Sequence, residues 1–213
     1  MKSINDLLKR KKLIVFDLDG VLADTKLNMK IAWNYTAKRN NIKIPFKNYF
    51  KFIGLPFKDI IINLKIDLKK NNYQKIKKDF QDSSISNMSR VRCFDNAKKV
   101  LLLLKKKRKK IALLTSKDYR RSKLLIKKFN FKFNLIECGS IKKKGKPDPF
   151  QMNSIIKKLK LDKKKAVYIG DMFADLQTAK NAKIDFIFAK YGYGKLPANK
   201  LKFKINRLTD LIK

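Results

Sequence analysis

Two aspartates one residue apart, Asp17 and Asp19, follow the apolar run Leu13-Ile14-Val15-Phe16 and precede Gly20. A short apolar run that ends in acidic residues and a glycine reads as a buried strand delivering carboxylates to its C-terminal end. In open α/β sheets that end is where ligands bind. A single aspartate there could cap a turn. Two like charges this close repel each other and need a cation or a shared proton, so the pair is a candidate metal and acid/base site.

Other candidate groups recur at similar places. Thr115 and Ser116 follow the run Ile111-Ala112-Leu113-Leu114, and Lys146 stands between Gly145 and Pro147. Asp171 and Asp175 come after Ala166-Val167-Tyr168-Ile169 and Gly170. Each has a bland explanation: hydroxyls often start helices, and aspartates complement helix N-termini. Lys146 is one lysine among many, distinguished only by a proline that restricts its backbone to extended conformations. All of them together, at the C-terminal strand ends of one sheet, are not explained that way. The chain contains no histidine. That excludes a Ser-His-Asp triad and His-ligated zinc or iron, and it leaves carboxylates, lysine or tyrosine for acid/base work. A metal in such a chain would be a hard, oxygen-ligated ion such as magnesium.

The elements that must position these groups alternate. Thr25 is placed to cap a helix on which Leu27, Ile31 and Tyr35 recur at four-residue spacing. Pro45, Gly54-Leu55-Pro56 and Asn71-Asn72 punctuate further short helical patterns up to about Met88, with no convincing strand among them. From Asp95 the pattern reads as a helix over Ala97 to Leu104, a strand over 111–114 and a helix around Arg121 to Phe129. A short strand near Leu135-Ile136 follows, then a helix with Met152, Ile155, Ile156 and Leu159 on one face. A strand at 166–169, a helix from Phe173 to Ala182 and a strand at Phe186-Ile187-Phe188 complete the series. Such alternation implies an α/β fold, a Rossmann-like parallel sheet covered on both faces. The expected organisation is a core of residues 1–24 and 93–213, interrupted after its first strand by a helical insertion at 25–92.

At 213 residues the chain can bury one good core, or a core and a small inserted domain. Its 55 Lys+Arg against 17 Asp+Glu give a formal net charge of +38. One reading is a nucleic-acid or anionic-surface binder. The other is compositional bias, and lysines scattered through every segment, including the run Lys105 to Lys110, favour it. No specific nucleic-acid partner is expected, although the field would attract an anionic substrate. No apolar stretch reaches membrane-spanning length, and the run after Lys9 to Lys12 is too short for a signal peptide. Cys93 and Cys138 have no metal-ligand spacing. A cytoplasmic protein, monomeric or homodimeric and with no membrane partner, is the expectation.

The segments Asp17-Leu18-Asp19-Gly20-Val21-Leu22, Leu114-Thr115-Ser116, Gly145-Lys146-Pro147-Asp148-Pro149 and Gly170-Asp171 through Asp175 resemble, in order and interval, the four motifs of the haloacid dehalogenase (HAD) superfamily. The resemblance spans nearly the whole chain. It is closest to the phosphoglycolate phosphatase and beta-phosphoglucomutase-like branch, with a helical C1 cap inserted after the first motif. Tyr191-Gly192-Tyr193-Gly194 resembles a glycine turn late in that branch, whereas Val21 replaces a common threonine and Lys183 a usual glycine.

The resemblance implies a HAD-like core with a cap at 25–92 and a magnesium-dependent phosphoric monoester hydrolase acting on a small phosphorylated metabolite. It implies that Asp17 is the nucleophile that forms an aspartyl-phosphate, and that Asp19 is the acid and base for leaving group and water. Magnesium would be held by Asp17, the main-chain carbonyl of Asp19, and Asp171. Thr115 and Ser116 would hold phosphate oxygens and Lys146 would neutralise the transferring group. Asp175 would orient Lys146 or a metal-bound water, with Gly20 and Gly170 as supporting turns. Gly54 and Lys58 are candidate substrate contacts, though a helix break explains them equally well. Two alternatives stand beside this reading: a sugar phosphomutase, and a non-enzymatic basic nucleic-acid-binding protein on the same scaffold.

Overall fold

In the computed structural model, which describes residues 3–140, 143–197, 199 and 201–213, β1 (Leu13–Phe16) is buried along its whole length. It has a parallel partner on each side, β4 (Lys110–Asp118) and β6 (Ala166–Gly170). With β5 (Leu135–Gly139), β7 (Asp185–Ala189) and β8 (Lys204–Ile205), these form a six-stranded parallel sheet in the order β5-β4-β1-β6-β7-β8. Side chains alternate across it, as strand geometry requires. Ile14 and Phe16 pack with Leu7 and Leu8 of α1 (Ile4–Arg10), Val100, Leu101 and Leu104 of α6 (Ala97–Lys106), and Leu125 of α7 (Tyr119–Lys128). Leu13 and Val15 face the other layer, with Met152, Ile155 and Ile156 of α8 (Phe150–Lys158) and Ala179 and Ala182 of α9 (Phe173–Ala182). Both faces are covered, as the alternation of elements predicts. Among the described residues no helix is long and apolar enough to cross a membrane.

Between β1 and α6 the chain forms α2 (Lys26–Arg39), α3 (Phe46–Phe50), α4 (Phe57–Asn63) and α5 (Tyr73–Ser86). These helices bury an apolar cluster of their own around Met29, Trp33, Tyr49, Ile61, Ile76 and Phe80. A two-stranded antiparallel ribbon, β2 (Ala23–Asp24) with β3 (Arg92–Cys93), ties the two ends of this block together. No strand is predicted there, because a two-residue ladder has no periodicity to read.

Other features depart from the sequence reading. Leu27 and Tyr35 are exposed at 51% and 43%, because the buried face of α2 is formed by Met29, Ala32, Trp33, Thr36 and Ala37. Residues 29, 33 and 37 repeat at the same interval as 27, 31 and 35, on the opposite side of the helix, and the indole prevails because it has the most area to bury. Thr25 makes no side-chain cap. β4 runs through Thr115 and Ser116 to Asp118, so these hydroxyls lie within the strand, where the register with β5 shifts between Thr115 and Asp118. The capped seven-residue α1 and the two-residue β8 are too short to announce themselves. Lys183, in the position expected of glycine, has φ 57° at the C-cap of α9, the left-handed conformation that glycine adopts without strain. The lysine run is not wholly solvated: Lys109 Nζ donates to the carbonyls of Leu8 (2.7 Å) and Lys11 (2.6 Å) at the end of α1.

The helical block has its own core, which is testable. Trp33 is fully buried, stacks on Tyr49 at 4.6 Å between ring centroids and donates from Nε1 to the Ile44 carbonyl at 2.8 Å. Trp33→Ala is expected to lower unfolding free energy in urea by about 3–5 kcal/mol. Leu27→Ala, on the exposed face, should stay within about 0.5 kcal/mol of the parent.

Candidate functional site

The C-terminal ends of β1, β4 and β6 converge because these strands are adjacent in the sheet. Asp17 continues β1 for one more residue, its N–H donating to the Ile169 carbonyl at 2.9 Å, and its side chain is buried. Asp17 Oδ1 accepts from Lys146 Nζ at 3.0 Å. The same ammonium donates to Asp175 Oδ1 at 2.7 Å and to the Tyr168 hydroxyl at 3.1 Å. Tyr168 OH in turn lies 2.8 Å from Asp175 Oδ1. Asp175 Oδ2 accepts the N–H groups of Asp171 (3.2 Å) and Met172 (2.9 Å) at the start of α9. Both oxygens of Asp175 are therefore committed to internal partners.

Asp171, fully buried, differs. Its Oδ2 accepts the Tyr193 N–H at 2.6 Å, while its Oδ1 has no partner among the described residues. Carboxylate oxygens of Asp17, Asp171 and Asp175 all lie within 4.8 Å of one another. An orphaned, buried carboxylate oxygen beside two more carboxylates is costly unless a cation faces it. An all-oxygen donor set suits a hard divalent ion. Glycines frame the pocket: Gly20 has φ +83°, and a Cβ there would strike the Asp171 carboxylate, as would one at Gly192. A Cβ at Gly170 would strike Asp175.

Burial pushes the Asp17 carboxyl up to about 7, with Asp175 and Asp19 adding to the rise and Lys146 opposing it. Burial, then the neighbouring Asp175 and Asp17, raises Asp171 well above the usual carboxylate range. For Lys146 burial works to discharge the ammonium, but Asp17 and Asp175 outweigh it and hold its pKa above the ordinary lysine value.

Asp19 faces a different set of partners. Its Oδ1 accepts from Thr25 Oγ1 at 2.6 Å, and its Oδ2 pairs with Lys117 Nζ at 3.1 Å. The Thr25 hydroxyl, expected to cap α2, is spent on this carboxylate instead. Thr115 is buried beneath, its hydroxyl accepting the Lys117 N–H at 3.2 Å. Ser116 Oγ donates to the Gly54 carbonyl at 2.6 Å, a direct bond from β4 to the helical block. Asp17, Asp19, Thr115, Ser116, Lys146 and Gly54 line an inner chamber of about 50 Å³. Beyond it opens a cleft of about 810 Å³, walled by Lys58, Tyr73, Lys77, Lys143 and Lys144 among others. Of the run Lys142-Lys143-Lys144, Lys142 lies outside the described residues.

Of the expected residues, Asp17, Asp19, Thr115, Ser116, Lys146 and Gly54 line the inner chamber, Asp171 and Asp175 cluster with Asp17 beside it, and Lys58 lies on the outer cleft. Several neighbours were not foreseen. Tyr168 reads as a core residue in a buried strand, and Lys117 is one lysine among many. Tyr193 was visible only as part of a glycine turn, yet its hydroxyl accepts the N–H groups of Thr25 (2.6 Å) and Lys26 (3.1 Å) and donates to Asp24 Oδ1 (2.7 Å).

Comparison with known proteins finds relatives in one family. The haloacid dehalogenase-like hydrolase family matches the chain over residues 14–189. A phosphoglycolate phosphatase of Aquifex aeolicus (strain VF5) is 26% identical over 206 residues, covering 95% of each chain. A phosphorylated carbohydrates phosphatase of Thermotoga maritima is 24% identical over 181 residues, 82% of this chain and 83% of that one. In fold, a hydrolase from Pseudomonas syringae superposes with a TM-score of 0.84 at 20% identity, covering 95% of this chain and 96% of that one.

A second cluster joins the core to the helical block. Asp118 Oδ2 accepts from Arg121 Nε (2.6 Å) and from Gln81 Nε2 of α5 (2.9 Å). Burial alone would raise the Asp118 carboxyl, but Arg121 and these hydrogen bonds hold it down to about 2. Because the folded value lies below the unfolded one, this stabilisation is present above about pH 4 and is lost as pH falls toward 2. Asp118→Asn should therefore reduce stability by about 2 kcal/mol at neutral pH. In urea titrations from pH 7 to pH 2, the gap to the parent should narrow across that interval.

Proposed function

Because the chain belongs to the haloacid dehalogenase-like hydrolase family, we propose that it is a magnesium-dependent phosphatase of small phosphorylated metabolites, similar to phosphoglycolate phosphatases, that works through an aspartyl-phosphate on Asp17. The observation that carries this reading is the buried Lys146 ammonium between Asp17 and Asp175, next to an Asp171 whose Oδ1 has no partner. Residues 25–92 are the cap in this reading, and residues 1–24 and 93–213 the catalytic core.

The first step requires a carboxylate to approach a phosphate dianion, a repulsion of about 4 kcal/mol at contact distance in an effective dielectric near 20. Lys146 offsets part of it by donating to Asp17 Oδ1, which holds the carboxylate in place for attack on phosphorus. Asp17, Asp171 and the main-chain carbonyl of Asp19 would hold a magnesium ion, which when bound supplies positive charge against the phosphoryl oxygens. Asp175 has no oxygen to spare, so its work is to fix Lys146. Thr115 and the Ser116 main chain hold the remaining phosphoryl oxygens.

As the bond from an Asp17 carboxylate oxygen to phosphorus forms, the ester P–O bond breaks and Asp19 gives its proton to the departing oxygen. Asp19 then takes a proton from water, which attacks phosphorus, and the Asp17–phosphate bond breaks to release inorganic phosphate and free carboxylate. Thr25 and Lys117 hold Asp19 on the leaving-group side throughout. The Ser116–Gly54 bond draws the cap over the chamber and excludes bulk water.

Hydrolysis of an aryl phosphate that requires added magnesium and stops with chelator is the expected behaviour. Asp17→Asn should abolish turnover, and full activity in that variant would remove the nucleophile assignment. Asp19→Asn should cost about 10²–10⁴-fold in kcat. Independently of activity, magnesium should raise the melting temperature of the parent protein, as any ligand of the folded state does. Asp171→Asn should lose that shift.

A further inference from the structure

Among the charged groups that line the inner chamber, Arg121 is the one the proposed chemistry leaves without a task. It lies in the first turn of α7 and is only 6% exposed. An arginine this deep usually has its planar fork matched by a carboxylate. Here Asp118 takes only Nε, at 2.6 Å, and spends its other oxygen on the Arg121 N–H at 3.0 Å. Among the described residues, Nη1 and Nη2 have no hydrogen-bond partner. The guanidinium is nevertheless held in place, its carbon 5.1 Å from the centre of the Phe80 ring. A positioned fork with free ends is a receptor for a planar or tetrahedral anion.

Its location identifies which anion. Arg121 lines both the inner chamber, with Asp17, Asp19 and Lys146, and the outer cleft. The inner chamber, about 50 Å³, has room for little beyond a phosphoryl group. Whatever is esterified to that phosphoryl must lead out past the fork. Lys58, Lys77, Lys143 and Lys144 along the outer cleft extend the positive field in the same direction.

Resting on the phosphatase reading above, we infer that Arg121 binds a second anionic group on the leaving side of the substrate, so that the protein selects acidic phosphate esters over neutral ones. The shared chemistry is an oxyanion that accepts from Nη1 and Nη2; a carboxylate and a second phosphoryl group both supply it. A neutral polyol would give Nη1 and Nη2 weaker acceptors than an oxyanion does.

The test is a ratio of kcat/KM values measured with magnesium on three compounds: phosphoglycolate, inorganic pyrophosphate and 2-hydroxyethyl phosphate, a neutral ester of similar size to the first. The ratio of acidic to neutral substrate does not depend on the fraction of active enzyme, so partial misfolding of a variant cannot imitate the effect. The parent should prefer one acidic compound. Arg121→Gln should lower that preference about 10- to 100-fold, the range for a lost hydrogen-bonded charge pair. Arg121→Lys, which keeps the charge and loses the fork, should fall between. Preference for phosphoglycolate identifies a carboxylate as the group bound, and preference for pyrophosphate a phosphoryl. Equal rates on acidic and neutral compounds in the parent, or a preference unchanged in both variants, would overturn the inference while leaving the phosphatase reading intact. Failure of the parent to hydrolyse any of the three or an aryl phosphate would overturn both.

Discussion

A lysine ammonium stripped of water and clasped by two carboxylates organises this molecule. Lys146 is 1% exposed, and its partners Asp17 and Asp175 come from the end of β1 and the first turn of α9, the helix after the neighbouring β6. Burying such a charge is tolerable only with full compensation, and removing one partner typically costs about 3–5 kcal/mol. Tyr168 adds a neutral hydroxyl on one side, and the N–H groups that open α9 hold Asp175 on the other. The loop from β5 to α8, the end of β1 and the start of α9 are thereby pinned to one point.

That point also creates an excess of negative charge that Lys146 alone does not absorb. Three carboxylates within 4.8 Å share one ammonium, and the unpartnered oxygen of Asp171 marks where further positive charge is wanted. Asp19, only two residues from Asp17, has partners of its own in Lys117 and Thr25. The two aspartates of the opening motif thus stand in different electrostatic surroundings, as the proposed division of labour between them requires.

The helical block is fastened to the same sheet edge by polar contacts rather than by a continuous core. Its apolar cluster is largely its own. Ser116 to Gly54, Asp118 to Gln81 and Tyr193 to the Lys26 N–H reach across from the sheet or its loops. Hydrogen bonds of this kind are individually modest and can be exchanged for water, as the proposed role of this block as a cap requires.

The alternation of strand and helix, the parallel sheet and most candidate carboxylates were legible in the sequence, because periodicity and residue type are local properties of the chain. So were the short helices between Thr25 and Met88, from their punctuation by proline and glycine. Assignments that compare distant surfaces were not. The buried side of α2 was misjudged because Leu27, Ile31 and Tyr35 show the same spacing as the residues around Trp33, and only packing against Tyr49 and Phe80 decides between them. The hydroxyl of Thr25, a plausible helix cap, went to Asp19 because the fold brought an unsatisfied carboxylate within 2.6 Å. Lys146 meets Asp17 across 129 residues of chain, and Lys117 and Arg121 are indistinguishable in type from dozens of solvated cations. Sequence determined which groups exist to do chemistry. Tertiary structure decided which of them lost their water, and it is desolvation that turns a common lysine or arginine into a specific one.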